Sequence, residues 1–549
     1  MGGRQKHDVI VVGSGPVGLT VAMDLASRGV DVLVIEKRPR GEAPSVKCNH
    51  VSARSMEVFR RLGVADAVRA GGLPDEYPHD VAYRTSATGI ELTRIPIPSR
   101  AGRLRHAPGP DTDWPTMEPP HRINQIYLEP ILFAHAEAMQ GLSIRNRVEV
   151  SGVCQDASGV QVQARDLVTG DELTFEADYL VGCDGGRSQI RTAIGATLVG
   201  DAVIQRVQST YIRAPKLLSM FKHEPAWATF TLSPIRSGNM YAIDGKEFWL
   251  IHNYLKDDEP DFESVNRDRS IRQILGVDDS FEYEVINKED WFGRRLVADR
   301  FRDRRIFICG DAAHLWVPYA GYGMNAGIAD AANLAWQLAA VVNGWGAPEI
   351  LEAHVAERHP ITSQVSHFVM DHAHAMATER RIVPQNIEAH DDAGRAVREE
   401  VGRRAYELNV QQYCCAGLNF GYFYDKSPLI VYDDESHPGY SMGSFTPSTV
   451  PGCRTPHFVL PDGRSLYDAM GPDYCLLRLD ADADVRPLLD AAAERGLPLT
   501  LLDIPAGVAP QAYRHALLIS RPDQHVAWRA DTLPADCGTL LDQLRGGAA

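Results

Sequence analysis

Three glycines and one carboxylate near the start of the chain have the spacing of a dinucleotide-binding turn. The pattern Gly13-x-Gly15-x-x-Gly18 follows a short apolar run, and Glu36 lies 18 residues beyond the last glycine. In such a turn the first glycine makes the bend, the second lets the backbone approach a pyrophosphate, and the third packs helix against strand. The carboxylate then accepts hydrogen bonds from a ribose. An ordinary strand-helix-strand crossover is the alternative, but the combination favours NAD or FAD without choosing between them.

A second glycine-rich turn, about 300 residues downstream, bears on that choice. In RIFICGDAAHLWVPYAGYGMNAGIAD, residues 305–330, an apolar strand runs into Asp311, and Gly321 and Gly323 precede a helical pattern. Asp311 could accept hydrogen bonds from ribityl hydroxyls, and the N–H groups at the helix start could face the part of a flavin that becomes negative on reduction. A plain strand-loop-helix junction is the other interpretation. Together with the first turn, this junction favours FAD.

The elements that must position these residues can be predicted from periodicity. The first turn lies between a continuous apolar strand, Val9 to Val12, and a second strand that ends at Glu36, with an apolar-spaced helix between them. Between Gly200 and about residue 284 the pattern has a period of two, which predicts antiparallel strands. Aromatic and imidazole side chains on these strands are pocket candidates, although core packing is the commoner role: Tyr211, Trp227, Tyr241, Trp249 and His252. The pattern of the last hundred residues predicts secondary-structure elements in the order β-α-β-β-β-α.

Composition limits the classes of partner. The net charge of −16 argues against nucleic acid or an anionic membrane surface, so small molecules are the expected ligands. No apolar run approaches the ~20 residues of a membrane span, and we expect a cytoplasmic protein. The nine cysteines are scattered without a C-x-x-C pair, which predicts neither a disulfide framework nor a metal site.

Three motifs in order resemble the single-component FAD-dependent aromatic hydroxylases, which are built like p-hydroxybenzoate hydroxylase and include phenol, chlorophenol and polyketide hydroxylases. The motifs are GSGPVG with Glu36, YLVGCDGGRSQIRTAIG (179–195), and CGDAAH followed by GYGMNAGIADAANLAWQLA (309–339). The resemblance covers nearly the whole chain. It implies an α/β plus α+β fold in which a Rossmann-like FAD-binding domain is interleaved with an antiparallel-sheet substrate domain and followed by a thioredoxin-like domain.

The resemblance also implies domain bounds. Residues 1–200 and 285–400 form the FAD-binding domain, with 80–120 partly in the substrate domain. Residues 201–284 form the substrate sheet, 401–446 a helical connector, and 447–549 the thioredoxin-like domain, which lacks C-x-x-C and is expected to serve packing or dimerisation.

Site residues carried over from the resemblance fall into two groups. Those expected to bind cofactor are Gly13, Ser14, Gly15, Pro16, Val17, Gly18, Glu36, Lys37, Lys47, Arg54, Gln125, Asp184, Asp311, Pro318, Gly321, Gly323, Met324 and Asn325. His50 and Pro318 are the catalytic candidates; His50 could accept a phenol proton or orient the substrate, or could be a structural histidine. Arg187 and Arg191 are cations close to where NAD(P)H must approach. His314 is expected to pack or bond locally.

The chain departs from the family at several of these positions. Lys47 replaces the usual arginine and exchanges a bidentate fork for a point charge. Tyr322 stands where many relatives have glutamine, and Ala320 where glycine is common. These changes affect the detailed contacts with a flavin more than the choice of cofactor.

The implied function is a monooxygenase that uses FAD, NAD(P)H and O2. It would hydroxylate a small phenolic or aromatic substrate ortho or para to its hydroxyl through a flavin hydroperoxide, as a homodimer. A Baeyer–Villiger or epoxidising oxygenase acting on an aromatic polyketide is the alternative, and a non-catalytic FAD-binding protein is a further one. A flavin halogenase is disfavoured because the sequence has no W-x-W-x-I-P stretch. The substrate, the ring position attacked and the choice between NADH and NADPH stay open.

Overall fold

Three β-sheets and the helices packed on them build the described part of the chain. The structure is a computed structural model that describes residues 6–105, 109–317 and 321–547, apart from the side chains of Leu104, Ala202 and Ile204. The strands in these ranges are β1 (Lys6–Val12), β2 (Val32–Glu36), β3 (Val81–Arg84), β4 (Glu91–Ile95), β5 (Leu142–Asn146), β6 (Val148–Gln155), β7 (Val160–Asp166), β8 (Glu172–Gly182), β9 (Leu198–Arg213), β10 (Ala228–Thr231), β11 (Gly238–Ala242), β12 (Phe248–Tyr254), β13 (Glu284–Lys288), β14 (Trp291–Ala298), β15 (Arg302–Asp303), β16 (Ile306–Ile308), β17 (His314–Trp316), β18 (Tyr474–Arg478), β19 (Leu499–Asp503), β20 (Leu517–Ser520) and β21 (Val526–Ala530). The α-helices in the same ranges are α1 (Pro16–Ser27), α2 (Ala53–Arg61), α3 (Ala65–Ala70), α4 (Arg100–Leu104), α5 (Gln125–Glu137), α6 (Gln189–Ala193), α7 (Arg267–Leu275), α8 (Tyr322–Val342), α9 (Glu352–Arg381), α10 (Asp392–Tyr413), α11 (Leu466–Met470), α12 (Arg486–Glu494) and α13 (Cys537–Leu544).

The first sheet is mainly parallel and aligns the motifs at one edge. Its order is β15-β16-β8-β1-β2-β5, with the β6–β7 hairpin attached through β7 to β8. Strand β2 is buried along its whole length, as is typical of a parallel strand covered on both faces. Val12 lies opposite both Ile35 and Gly182, and Ile308 lies opposite Gly182. The turns that follow β1, β2, β8 and β16 therefore meet at the carboxyl edge of the sheet.

Helices α1 and α8 cross this sheet in close contact because small residues separate them. A Cβ atom added at Gly327 of α8 would lie 2.6 Å from a methyl group of Val17 on α1, and 2.9 Å from Cα of Gly310. One turn further along α8, the buried Asp330 accepts hydrogen bonds from His314 at 2.8 Å and from Arg358 at 2.9 Å. The GDAAH turn is thus fixed to α8 by packing and by the buried hydrogen bond between His314 and Asp330, in line with the expectation that His314 packs or bonds locally.

The second sheet has nine strands and draws on more of the chain than its predicted range. Its order is β17-β14-β9-β12-β11-β10-β3-β4, and β13 also pairs with β9. Strand β9 holds β12 along one edge and β13 and β14 in succession along the other. Because β9 is 16 residues long, this second edge has room for residues 284–298, most of which the resemblance assigns to the FAD-binding domain.

The last hundred residues follow the predicted order β-α-β-β-β-α, with the short α11 in front. Their sheet has the order β19-β18-β20-β21, and only β18 and β19 are parallel. This sheet packs on α8, where the rings of Trp336 and Tyr474 are 5.9 Å apart, and Arg521 pairs with the buried Glu357 of α9 at 2.8 Å. The predicted bound between residues 400 and 401 falls inside α10. The thioredoxin-like assignment and the exact domain bounds stay predictions.

Membrane and metal features can be assessed for the described ranges. There, the longest helices are too polar to pass through a bilayer. Within the same ranges, His, Cys, Asp and Glu side chains do not gather in groups of three or more that could hold a metal ion.

Candidate cofactor and substrate site

A groove runs along the carboxyl edge of the parallel sheet. We call it the strand-end groove, since its walls are the turns after β1, β2, β8 and β16. The predicted cofactor residues that line it are Gly13, Gly15, Pro16, Val17, Glu36, Lys37, Lys47, Gln125, Asp184, Asp311 and Met324. Eleven predicted positions from distant parts of the sequence thus share one concave surface. Pro318 lies outside the described residues.

The glycine turn shows three different environments that match its three predicted roles. Gly13 has φ of +103°, and a Cβ there would lie 2.4 Å from the carbonyl oxygen of Cys183. A Cβ at Gly18 would lie 2.0 Å from the carbonyl oxygen of Gly13, so this glycine is required for close packing. A Cβ at Gly15 would meet nothing within 4 Å, and Gly15 is the N-cap of α1 without a side-chain cap. The open space therefore adjoins free N–H groups at the positive end of a helix, which suits a pyrophosphate.

Glu36 is held in its charged form at the end of β2. Its carboxylate accepts hydrogen bonds at 2.8 Å from the backbone N–H and the hydroxyl of Ser14. Burial alone would raise the pKa of Glu36, but hydrogen bonds and charge from Arg38, with help from Ser14, hold that pKa below its usual value. Arg38 also pairs with Glu129 at 2.7 Å, and these residues line a side groove next to the strand-end groove. Sequence reasoning missed Arg38, although its place two residues after Glu36 is a usable signal.

Two aspartates mark the turns after β8 and β16. Asp184 accepts hydrogen bonds from the hydroxyl of Ser188 at 2.5 Å and from the N–H of Gln189 at 2.7 Å, and so fixes the start of α6. Arg191 of α6 donates to the carbonyl oxygen of Ala312 at 3.0 Å and thereby ties the two turns together. Asp311 is reached from the groove yet surrounded by its walls, and this desolvation raises the pKa of its carboxyl group.

The first turn of α8 is shaped by a glycine and an asparagine. Gly321 caps the helix in the left-handed conformation, with φ of +60°, and a Cβ there would lie 3.0 Å from Cβ of His50. The amide of Asn325 is buried, donates to the carbonyl oxygen of His50 at 3.1 Å, and accepts from the N–H of Ser52 at 2.9 Å. Gly321 and Asn325 therefore dock the segment that carries His50 against the helix start. Gly323 and Asn325 are not part of the groove lining, whereas Met324 between them is.

Lys47 and Arg54, the two predicted cations of the early segment, lie in different places. Lys47 lines the groove and pairs with Glu289 at 2.5 Å. Arg54 is buried on α2, pairs with Glu57 at 3.1 Å, and donates to Gln524 and to the carbonyl oxygen of Asp523 in the C-terminal part of the chain. The structure therefore places Arg54 at the contact with the last hundred residues and not in the strand-end groove.

His50 lies at the inner end of the site and is bonded to an arginine that the sequence reasoning did not single out. Arg122 Nη1 donates to His50 Nδ1, and both side chains are buried. Burial and the Arg122 charge hold the pKa of His50 well below its usual value, so the imidazole is neutral. With Nδ1 accepting, the ring proton is on Nε2, from which His50 can donate a hydrogen bond.

The nine-stranded sheet presents aromatic rings beside His50. The ring of Trp227 lies 5.6 Å from that of Tyr241, and Tyr241 lies 5.4 Å from His252, which continues the row. The guanidinium carbon of Arg122 is 4.2 Å from the Trp227 ring centre. Trp249 is fully buried and packs on Phe221, as a core residue does. Of the predicted pocket candidates, Trp227 therefore packs against the guanidinium of Arg122, which is bonded to His50.

The donor set of the strand-end groove fits FAD. An open glycine turn, a charged carboxylate after β2, an aspartate after β16 and a glycine-capped helix start follow one another along a single groove. These groups match the pyrophosphate, ribose, ribityl and ring portions of a flavin dinucleotide.

Comparisons with known proteins agree with this geometry. The profile of a family described as "FAD binding domain" matches residues 6–369, and that of a family described as "Aromatic-ring hydroxylase, C-terminal" matches residues 448–547. The tetracenomycin B2 monooxygenase-dioxygenase of Streptomyces olivaceus is 30% identical, with 98% of each chain covered. The phenol 2-monooxygenase of Pseudomonas sp. (strain EST1001) is 28% identical, covering 99% of this chain and 93% of its own. The structure of the rebeccamycin biosynthetic enzyme RebC with reduced flavin is similar at a TM-score of 0.89 and 30% identity, with 99% of this chain and 100% of that chain covered.

Proposed function

The chain belongs to the family of FAD-binding aromatic-ring hydroxylases, and we propose that it uses NAD(P)H and O2 to hydroxylate a phenolic substrate ortho or para to the ring hydroxyl. It is a flavin-dependent aromatic monooxygenase with FAD as cofactor, and NAD(P)H and O2 are the typical co-substrates of its family. Bound FAD supplies the redox chemistry, namely acceptance of hydride and activation of dioxygen. The protein supplies orientation, a dry environment and electrostatics.

Binding of the cofactor rests on the residues of the strand-end groove. The free N–H groups at Gly15 receive the pyrophosphate, Glu36 receives ribose hydroxyls, and Asp311 receives ribityl hydroxyls. Lys47 and Arg187 supply positive charge along the same groove. The N–H groups of the first turn of α8 stabilise negative charge that develops on the ring system.

One observation carries the hydroxylase assignment beyond cofactor binding. The strand-end groove and the aromatic face of the nine-stranded sheet meet at the first turn of α8. Met324 of that turn lines the groove, while Gly321 contacts His50, which is bonded to Arg122 above Trp227. A flat aromatic substrate against Trp227 would therefore lie next to the end of the cofactor groove where the flavin ring belongs.

His50 acts on the substrate as a donor and not as a base. Its ring is neutral and its proton is on Nε2, because Nδ1 is engaged by Arg122. A phenol oxygen at Nε2 would receive a hydrogen bond that stabilises the phenolate, and the phenol proton would pass to water. The homodimer implied by the resemblance stays a prediction.

The decisive experiment measures NAD(P)H oxidation by the purified yellow protein with and without phenols, hydroxybenzoates and polycyclic phenols, together with peroxide release and product mass. We expect one compound class to accelerate oxidation and to gain a single oxygen atom on the ring. Oxygen inserted next to a carbonyl, or an epoxide, would replace the proposal by the Baeyer–Villiger or epoxidising alternative. A flavin-loaded protein whose rate no compound changes would support a non-catalytic role.

A matched pair of variants connects this activity to the groove. Asp311→Ala removes hydrogen bonds to the cofactor that are worth about 1.5–3 kcal/mol for a charged acceptor, or roughly 10- to 100-fold in FAD affinity. Asp462→Ala removes an equally charged side chain from an exposed turn of the C-terminal part, where it pairs only with Arg464, so FAD affinity and turnover are expected to stay at the wild-type level.

A further inference from the structure

Arg122 is a buried guanidinium that has no counter-ion among the described residues. It is 2% exposed, and its one hydrogen bond in the described chain goes from Nη1 to the neutral ring of His50. Its Nε and Nη2 atoms are buried and have no hydrogen-bond partner in the part of the chain that the structure describes. One flat face covers Trp227 at 4.2 Å, and Tyr413 lies 5.8 Å away. Two donors of a planar fork therefore point into protein that offers them no acceptor.

The charged groups around Arg122 do not supply the missing anion. The acid that acts most strongly on Arg122 is the buried Asp111, whose carboxylate accepts from Trp114 at 2.6 Å and from Arg103. Arg103 and Asp111 thus compensate one another, and one positive charge is left at Arg122. His79 and His121, which pack with ring centres 6.4 Å apart, are neutral because burial, together with neighbouring positive charge, lowers the pKa of His121 to about 3 and that of His79 well below its usual value.

His79 repeats the pattern of unused donors. It is 1% exposed, and neither of its ring nitrogens has a partner in the described chain. A neutral imidazole has one N–H donor and one acceptor nitrogen, so His79 and Arg122 together present four unpaired nitrogen atoms, three of which are donors. Isolated buried charges are strongly unfavourable, and native proteins pair them with an ion or a ligand.

We propose that Arg122 is a substrate-binding residue whose free Nε and Nη2 receive an anionic oxygen of the aromatic substrate, either a carboxylate substituent or the ring phenolate. The inference rests on the proposed function, because it takes the Trp227 side of the first turn of α8 as the substrate position. A planar guanidinium with two adjacent free donors matches a carboxylate in a bidentate arrangement. His50 then positions Arg122, and the aromatic rings of Trp227 and Tyr413 hold the flat part of the ligand.

The test compares anionic ligands with neutral partners of the same shape by calorimetric titration of the FAD-loaded protein. The first arm pairs 4-hydroxybenzoate with 4-hydroxybenzyl alcohol, and a hydroxynaphthoate with the corresponding hydroxymethyl naphthol. The second arm pairs ionised 4-nitrophenol with 4-nitroanisole. We expect one arm to show about 10- to 100-fold tighter binding of the anion, the range of a charge-assisted hydrogen bond. Preference in the first arm identifies a carboxylate, and preference confined to the second identifies the phenolate.

Variants separate a substrate contact from a structural one. Arg122→Met is expected to reduce the anion preference to about twofold or less and to leave the melting temperature of the ligand-free protein equal or higher, since an uncompensated buried charge is removed. Arg84→Met is the matched control. Arg84 is fully buried on β3 of the same sheet, but it is paired with Glu91 at 3.0 Å and with two carbonyl oxygens, so its loss should lower the melting temperature and leave the preference unchanged.

Several outcomes would overturn the inference. It fails if the wild-type protein binds anions and neutral partners equally, or binds none of them at millimolar concentration, or if Arg122→Met keeps the preference while melting at a lower temperature. Arg122→Lys keeps the charge but loses the fork, and an intermediate preference in that variant supports the inference even where Arg122→Met does not yield folded protein. Ring hydroxylation of the preferred anionic substrate with the same KM and rate in wild type and Arg122→Met would keep the proposed function and reject this role. Anion binding that depends on Arg122, without oxygenation of any compound, would keep this role of Arg122 and reject the proposed function.

Discussion

Substituting the three glycines of the first turn one at a time by alanine should separate cofactor contact from fold stability. Gly15 has extended backbone geometry with φ of −70°, and a Cβ there meets no protein atom within 4 Å. Alanine gains about 0.4–1 kcal/mol by restricting the unfolded chain, while its poorer N-cap preference costs a similar amount. The flavin-free Gly15→Ala protein should therefore unfold within about 1 kcal/mol of wild type.

The same methyl group occupies the space assigned to the pyrophosphate. Overpacking of a tight contact typically costs about 1–3 kcal/mol. This cost corresponds to an FAD dissociation constant that is roughly 5- to 150-fold larger. Gly18→Ala behaves in the opposite manner, because its Cβ would lie 2.0 Å from a backbone oxygen and must displace either α1 or the turn. We expect Gly18→Ala to lose at least about 1–3 kcal/mol of stability before FAD is added.

The assay combines urea unfolding of the flavin-free proteins with FAD titration followed by quenching of flavin fluorescence. Gly13→Ala serves as a second structural control, since its φ of +103° and its 2.4 Å approach to Cys183 predict instability similar to that of Gly18→Ala. Unchanged FAD affinity in Gly15→Ala, or a loss of stability as large as that of Gly18→Ala, would refute the division of roles within the turn.

Three further predictions follow from buried polar groups. Burial alone would raise the pKa of Asp24, but Arg61 and Arg28 hold it at about 2, so its contribution to stability is complete above its unfolded pKa near 3.9 and is lost as the pH falls toward 2; urea midpoints from pH 5 to pH 2 should fall more steeply for wild type than for Asp24→Asn, and parallel slopes would contradict this. Arg521→Met leaves Glu357 and Asp523 as buried carboxylates without their main partner and should cost about 3–5 kcal/mol in unfolding free energy, whereas the exposed Arg464→Met should cost less than about 0.5 kcal/mol. Asn325→Leu removes the amide that joins His50 to the start of α8, so the ratio of peroxide released to NAD(P)H consumed should rise even if FAD stays bound; an unchanged ratio would show that this junction does not control coupling.

The parts of the site that depend on local steric requirements were the easiest to predict from the sequence. The spacing of Gly13, Gly15 and Gly18 predicts the turn because each glycine answers a short-range requirement, and Glu36 follows because a strand of known length places it. Asp311 was predicted for the same reason, as the residue at the end of an apolar strand. In the structure these residues share one groove, since parallel strands in register bring their carboxyl ends together.

Residues whose environment depends on partners far away in the sequence were harder to predict. Arg54 was expected near the cofactor, but its partners Gln524 and Asp523 lie about 470 positions away and are brought to it by packing of the last sheet on α8. Arg122 precedes an ordinary helix, and nothing in its neighbourhood of the sequence shows that Trp227 and His50 will enclose it. The extent of the nine-stranded sheet was underestimated because the second edge of β9 is filled by strands whose own patterns are short.

The order in which the sheet strands occur along the chain has a consequence for synthesis. The 126 residues from 183 to 308 must leave the ribosome before β16 can pair with β8, which takes about 6–25 s at roughly 5–20 residues per second. Until then the edge of β8 and the apolar side of α1 are uncovered, and the aspartate that follows β16 is missing from the groove. The ring of Trp336 stays uncovered for longer, because its partner Tyr474 is synthesised later than β16. Nascent chains of this protein are therefore expected to need chaperones that protect the incomplete sheet. They are also expected to bind their flavin only late in translation or after release.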